Sequence, residues 1–237
     1  MTKNVFVTGG SGALGSAIVR KMCAFGWRVA FGYNKHADKA HALSEETGAM
    51  AFQADLEDPD AVAAMTDQLE REFGAPDALV NNAGRTSVMP FALLEAEDWD
   101  KAMSTNLKSM FLVTHALVRG MIRRKRGAIV NISSIAGQRV LGVPVTYATS
   151  KAGIAGFTIG LAREIAPYGI RVNAVAPGML DDGVSANVPE QERNEYLRYC
   201  LAARPGRCEE VADAVEFLCS DRASYINAQL IHLNGGI

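Results

Sequence analysis

The 237-residue sequence has little of what would commit it to a membrane, to nucleic acid, or to a disulfide or metal framework. No stretch approaches the run of about 18 apolar residues that a membrane-spanning helix requires. Lys and Arg number 24 against 26 Asp and Glu, a formal net charge of -2 with no long basic block, which argues against recognition by phosphate neutralisation. The four cysteines, Cys23, Cys200, Cys208 and Cys219, form no C-x-x-C pair, and a chain able to build a sizeable core does not need disulfides. The four histidines, His36, His41, His115 and His232, are scattered without metal-ligand spacing, so no metal is expected. The first eight residues lack the cationic start and apolar stretch of a secretory signal, and the expectation is a reduced, cytoplasmic protein whose chain begins as read. Linkers, repeats and low-complexity segments are missing too, so residues 1–237 are expected to form a single domain.

What is present is an alternation of short apolar runs with longer segments of helical period. Strands are expected at 5–8, 28–32, 49–53, 78–81, 128–132, 171–176 and 230–234. Helices are expected between them at 13–25, 37–47, 59–73, 99–123, 146–166 and 209–220. This order specifies the α/β class: a doubly wound, seven-stranded parallel sheet with helices on both faces. One long stretch, 178–207, has no strand character and holds only a short candidate helix at 191–200. Connections of that length in a compact domain usually serve function, and a substrate lid is the expectation.

Gly10-Ser11-Gly12-Ala13-Leu14-Gly15 satisfies G-x-G-x-x-G. With 22 glycines in the chain, roughly 0.2 such matches arise by chance, so position carries the weight. The motif follows the first strand at once and opens the first helix, where a pyrophosphate can approach free backbone N–H groups at a positive helix end. This marks a Rossmann-type dinucleotide site built on Gly9, Ser11, Gly12, Leu14 and Gly15. A site for NAD usually offers a carboxylate at the end of the second strand to accept from the ribose hydroxyls. Here Tyr33, Asn34 and Lys35 stand instead, and Lys35 can pair with a 2'-phosphate, which points to NADPH. Asp55, followed by Leu56 after the third strand, is placed to accept from the adenine amino group.

Tyr147 and Lys151 lie four apart on an expected helix, so they share a face. A phenol is a weak acid-base group at neutral pH, and a nearby cation favours its ionised form, which makes Tyr147 a credible proton donor. Upstream, Val130-Asn131-Ile132-Ser133-Ser134 ends at the carboxyl edge of the sheet, where α/β proteins bind ligands, and Ser134 can hydrogen-bond a reacting oxygen there.

Taken together, these residues resemble the short-chain dehydrogenase/reductases, and the resemblance runs nearly end to end. Thr8 to Gly15 looks like that family's cofactor turn, Asn81-Asn82-Ala83-Gly84 like its sheet-stabilising motif, and Asn106 in Thr105-Asn106-Leu107 like its active-site asparagine. Ser134, Tyr147 and Lys151 keep its separations, and Pro177-Gly178 follows the sixth strand. The resemblance implies hydride transfer at a carbonyl: Tyr147 moves the proton, Ser134 stabilises the oxygen, Lys151 binds the nicotinamide ribose and lowers the tyrosine pKa, and Asn106 supports a water relay. It also implies that Asn82, Ala83, Gly84, Pro177 and Gly178 line the cofactor.

Within the family, Arg171-Val172-Asn173-Ala174-Val175-Ala176-Pro177-Gly178 and Arg207-Cys208-Glu209-Glu210-Val211-Ala212 look most like the 3-oxoacyl-thioester reductases, including those acting on acyl carrier protein. The chain differs from that subgroup at Gly12, Ala13, Asp182, Cys208 and Ala228, and a specialised substrate is the expectation. Arg123-Arg124-Lys125-Arg126 closes the fourth long helix, either as a solvated cationic end or as a docking patch for an acidic carrier. The second basic residue that such a patch has in the resembled reductases is matched here by Tyr168. Apolar length on the helices holding Asn106 and Tyr147 is compatible with the family's homotetramer. The leading expectation is therefore NADPH-dependent reduction of a small or carrier-bound ketone, most simply a 3-oxoacyl thioester. A sugar, polyol or steroid alcohol dehydrogenase is the alternative, and a non-catalytic nucleotide sensor a third, which would not need the acid-base set.

Overall fold

The computed structural model describes residues 2–86 and 88–237. The apolar runs become seven strands: β1 (Asn4–Val7), β2 (Arg28–Tyr33), β3 (Met50–Gln53), β4 (Ala78–Asn81), β5 (Gly127–Ile132), β6 (Ile170–Pro177) and β7 (Leu230–Leu233). They form one sheet in the order β3-β2-β1-β4-β5-β6-β7, every neighbouring pair parallel. Winding reverses between β1 and β4, which makes their carboxyl ends the switch point where α/β sheets bind ligands.

Parallel strands need helical crossovers, and these bury both faces of the sheet. Successive strand residues therefore serve opposite cores. Val5, Val7, Val80 and Val130 pack against α1 (Ala13–Ala24), α2 (Ala37–Thr47) and α8 (Cys208–Cys219). Phe6, Leu79, Ile129 and Val172 pack against α3 (Pro59–Glu72), α5 (Ser109–Arg124) and α6 (Val145–Ile165). Local signals fix the helix ends. The Asp58 side chain caps α3, accepting from Asp60 N at 2.9 Å with Pro59 in the first turn, and α2 stops at Gly48, whose φ is 71°.

The largest departure from the expected elements lies at 99–123. Instead of one helix the chain forms α4 (Ala96–Met103), a π turn (Ser104–Lys108) and then α5. Helix α4 starts early because Glu95 N donates to the Asp98 side chain at 3.1 Å. The π turn follows from the buried side chain of Asn106, which is held by partners outside the helix. Beyond β6 comes α7 (Glu190–Tyr199), which has no buried residue and contains most of the short helix expected at 191–200. Among the described residues no helix is long and apolar enough to cross a membrane, and no cluster of His, Cys, Asp and Glu could hold a metal.

Candidate active site

At the end of β1 the chain turns through Gly9, at φ 65°, into the first turn of α1. A Cβ on Gly15 would lie 2.1 Å from Gly9 O, so only hydrogen fits where the helix meets the turn. The β4 end locks this turn in place. Thr8 Oγ1 accepts from Asn82 N at 2.9 Å and Ala83 N at 3.0 Å, and Asn82 Nδ2 donates to Thr8 O at 3.0 Å and Gly9 O at 3.1 Å. Gly12 occupies the N-cap of α1 without a side-chain cap, and the first turn carries no acid. Unpartnered N–H groups and the positive helix end therefore face outward beside Ser11 and Leu14, a cradle suited to a pyrophosphate.

Gly10 N donates to Gly32 O at 2.9 Å, which seats the turn against the end of β2. Tyr33 is half-buried there, while Asn34 and Lys35 are exposed just beyond it. No acid lies among these three residues. Asp55 is exposed after β3 and accepts from Glu57 N at 3.0 Å, and Leu56 packs into the core beneath it.

A buried polar ladder ties the neighbouring strand ends to their helices. Asn81 Nδ2 donates to Thr114 Oγ1 at 2.9 Å and Asn131 Oδ1 at 2.8 Å, and Asn131 Nδ2 donates to Thr158 Oγ1 at 2.9 Å. Ser133 Oγ donates to Lys151 O at 2.8 Å, so α6 is pinned to the end of β5 beside Ser134. Lys151 is buried, and its Nζ donates to Ile132 O at 2.9 Å while lying 5.7 Å from the centroid of the Tyr147 ring. Asn106 Oδ1 accepts from Arg85 N at 2.8 Å, and its Nδ2 donates to Arg85 O at 2.9 Å and Ser150 Oγ at 3.1 Å. Ser150 in turn donates to Tyr147 O at 2.8 Å. The backbone at Gly84 and Arg85, the π turn and the first turns of α6 thus form one bonded unit. A Cβ on Gly84 would sit 3.5 Å from Lys151 Nζ.

Burial raises the Tyr147 pKa, and the facing Ser134 hydroxyl pulls it the other way. Burial also lowers Lys151 to about 8. Without cofactor the Lys151 ammonium is turned to the Ile132 carbonyl, 5.7 Å from the centroid of the Tyr147 ring, and its own charged form is disfavoured.

The far wall begins at Pro177 and Gly178, whose N donates to Leu233 O at 2.9 Å. The 178–207 stretch is fastened at its base. Tyr196 of α7 accepts from Met179 N at 3.0 Å, and Leu180 pairs with Gly206 in an isolated bridge. Asp182 accepts from Gly183 N at 2.6 Å, and a Cβ on Gly183 would come within 3.6 Å of Ala13 Cβ, which brings this stretch over the open end of α1. At the basic helix end, Arg124 donates to Pro76 O at 2.6 Å and Arg126 meets Asp77 at 2.7 Å, so two of its four cations hold the lead-in to β4. Lys125, at φ 51°, ends the helix.

Every residue expected at the site lies at or just beyond the carboxyl edge of the sheet or on α6 and the π turn facing it. Unforeseen were Ser150, which carries the bond from Asn106 to α6, and Tyr196. The sequence signal for Ser150 was its place next to Lys151; Tyr196 gave none.

A nucleotide cradle at the switch point and a Ser-Tyr-Lys set across from it define an α/β oxidoreductase. A family model described as Enoyl-(Acyl carrier protein) reductase matches residues 10–237, and the chain belongs to the short-chain dehydrogenase/reductase family. It is similar to the 3-oxoacyl-[acyl-carrier-protein] reductase FabG of Staphylococcus aureus, with 38% identity over 244 residues covering 100% of this chain and 98% of that protein. The protein of the same name from Escherichia coli is 36% identical over 237 residues, covering 99% and 97%. Among solved structures, a 3-oxoacyl-[acyl-carrier protein] reductase from Brucella melitensis superposes with a TM-score of 0.93 at 32% identity, covering 99% of this chain and 91% of that one. A mutant short-chain dehydrogenase/reductase from Serratia marcescens gives 0.91 at 32% identity, covering 99% and 97%.

Proposed function

We propose that this protein reduces a ketone to a secondary alcohol with NADPH, and that the ketone is a 3-oxoacyl thioester presented on an acyl carrier protein or on coenzyme A. The observation that carries this reading is the bonded run of Asn106, Ser150 and Tyr147, with Lys151 held on Ile132 O beside Ser134, set at the switch point next to the glycine turn. The cradle fits the cofactor: Gly15 admits no Cβ, α1 opens without a cap, and Lys35 is exposed just beyond β2, where a cation could pair with a 2'-phosphate. NADPH held there would supply the hydride for the carbonyl carbon. Ser134 donates to the carbonyl oxygen and orients it, and Tyr147, held protonated by burial, delivers the proton that the developing alkoxide requires. Lys151 would hold the nicotinamide ribose from within the pocket, and Asn106 would keep the π turn and Gly84 in place around it. Pro177, Gly178, Asn82 and Ala83 complete the lining, with Leu14, Ser11 and Gly12 on the phosphates, and Asp55 and Leu56 at the adenine.

In this reading the chain acts as one domain with 178–207 as its lid, in the cytoplasm. Of the basic helix end, Arg123 and Lys125 are exposed and not tied to the β4 lead-in, and they form the contact for an acidic carrier. Phe111 and Ile159, 48% and 55% exposed on α5 and α6, mark the faces through which a homotetramer would form. The deciding experiment is a panel of 3-oxoacyl thioesters, free and carrier-bound, with 2-enoyl thioesters, sugars, polyols and steroid alcohols, assayed with both nicotinamide cofactors. Oxoacyl reduction with NADPH is expected. Preferred turnover of enoyl thioesters or alcohols reassigns the substrate, and nucleotide binding without turnover of any of them leaves a sensor.

A further inference from the structure

Glu57 lies outside the site described above, yet its carboxylate gathers groups from three elements around it. Oε1 accepts from Thr105 Oγ1 at 2.9 Å, inside the π turn. Oε2 meets Lys101 Nζ of α4 at 2.8 Å, and Arg85 Nη2 lies 3.9 Å from Oε1. The Glu57 side chain is 22% exposed, whereas those of Lys101 and Arg85 are 57% and 55% exposed. Its own N–H donates to Asp55 Oδ1 at 3.0 Å, which fastens the same residue to the loop placed for the adenine.

Ion pairs as open as these contribute little by themselves. The Thr105 bond differs in kind, because a π turn exchanges the regular i→i+4 ladder for wider i→i+5 bonds, here Ser109 N to Ser104 O, and such turns occur mostly as single insertions at functional sites. Thr105 precedes Asn106, and Asn106 grips the Arg85 backbone through both its N–H and its carbonyl. Glu57, Thr105, Asn106 and Arg85 therefore form a connected run, held firmly at the Thr105 and Asn106 bonds and closed only loosely by the 3.9 Å Arg85–Glu57 pair. Opening it at Glu57 frees the turn on the side away from Ser150. We propose that Glu57 is a positioning residue, fixing the π turn against the adenine loop so that Asn106 holds Gly84, Arg85 and α6 in the geometry the reaction needs. This role rests on the reductase reading, since the rate it serves is the reduction at Tyr147.

The test uses Glu57→Ala, Glu57→Gln and Thr105→Val. Glu57→Ala and Thr105→Val are each expected to lower kcat by about tenfold while KM for NADPH stays within about twofold, since misplacement and not binding is at stake. The double variant should lose no more than the worse single one. Glu57→Gln, whose amide oxygen still accepts from Thr105, should keep most of the rate. Hydrogen exchange should accelerate at amides 104–109 in Glu57→Ala and Thr105→Val and stay unchanged in α1. Should Glu57→Ala not fold, the isosteric Thr105→Val with Glu57→Gln carries the same comparison. Unaltered kcat and exchange in Thr105→Val, fully multiplicative losses in the double variant, or a Glu57→Gln as slow as Glu57→Ala would each overturn the proposal. Exchange needs no substrate, so a wild type inactive on every ketone retires the reductase reading separately from the clamp.

Discussion

The Lys151 ammonium sits 2.9 Å from the main-chain oxygen of Ile132 and 5.7 Å from the centroid of the Tyr147 ring. One neutral carbonyl is a poor exchange for full hydration, and burial pushes the group down from 10.5 to about 8. Between those two values the unfolded chain binds a proton that the folded protein does not, so for this group stability rises with pH across that window. Below it, the cofactor-free protein carries the cost of a buried cation. Lys151→Met should therefore melt higher than wild type at about pH 7, and the gap should narrow toward about pH 10. Thermal melts without cofactor check this, and a gap that widens with pH contradicts it.

Tyr147→Phe removes a hydroxyl and nothing else from the pocket. Turnover should fall by at least about 100-fold, the low end for general acid catalysis, while NADPH affinity by calorimetry stays near that of wild type. A variant that retains more than a tenth of wild-type kcat would mean that another group delivers the proton.

Cofactor choice turns on the end of β2. With Lys35 free to meet a 2'-phosphate, a charge-assisted contact of about 1.5 to 3 kcal/mol corresponds to a preference for NADPH of roughly ten to a hundredfold in kcat/KM. Tyr33→Asp should reverse it, because a carboxylate gains the ribose diol of NADH and repels the phosphate of NADPH. Wild-type preference for NADH would place the ribose elsewhere.

Ala228 lies at φ 59°, in the left-handed region where a Cβ is strained, and donates to Val172 O at 2.9 Å at the edge of the core. Ala228→Gly relieves that strain and gives back part of the gain through the freer unfolded chain, for a net stabilisation of about 1 kcal/mol. For a domain of this size that is a rise of roughly 2 to 4 °C in Tm by calorimetry. A lower Tm would show that the methyl contributes more in packing than it costs in the backbone.

The strands were readable because sheets buried on both faces leave continuous apolar runs cut by turns; β4 was expected at 78–81 and lies at Ala78–Asn81. The glycine turn and the Tyr147/Lys151 pair were readable because each is local, one as a strand-turn-helix and the other as a single helical turn. What escaped is non-local. The π turn depends on Glu57, 48 residues from Thr105, and on Ser150, 44 residues from Asn106. Lys151 finds its partner in Ile132, across the sheet edge. No periodicity in 99–123 encodes those contacts, so the helix read there as unbroken.

The π turn at Ser104–Lys108 also bears on descent. A widened turn of this kind is what one surplus residue does to a helix whose two flanks are both already seated. A lineage losing one codon between 104 and 108 would keep α4 and α5 where they are and run them together as ordinary helix. The residues between would rotate by about 100° against one flank, and Asn106 would leave Arg85 and Ser150. The placement of Asn106 thus depends on how many residues the chain spends between α4 and α5 as well as on which residues they are.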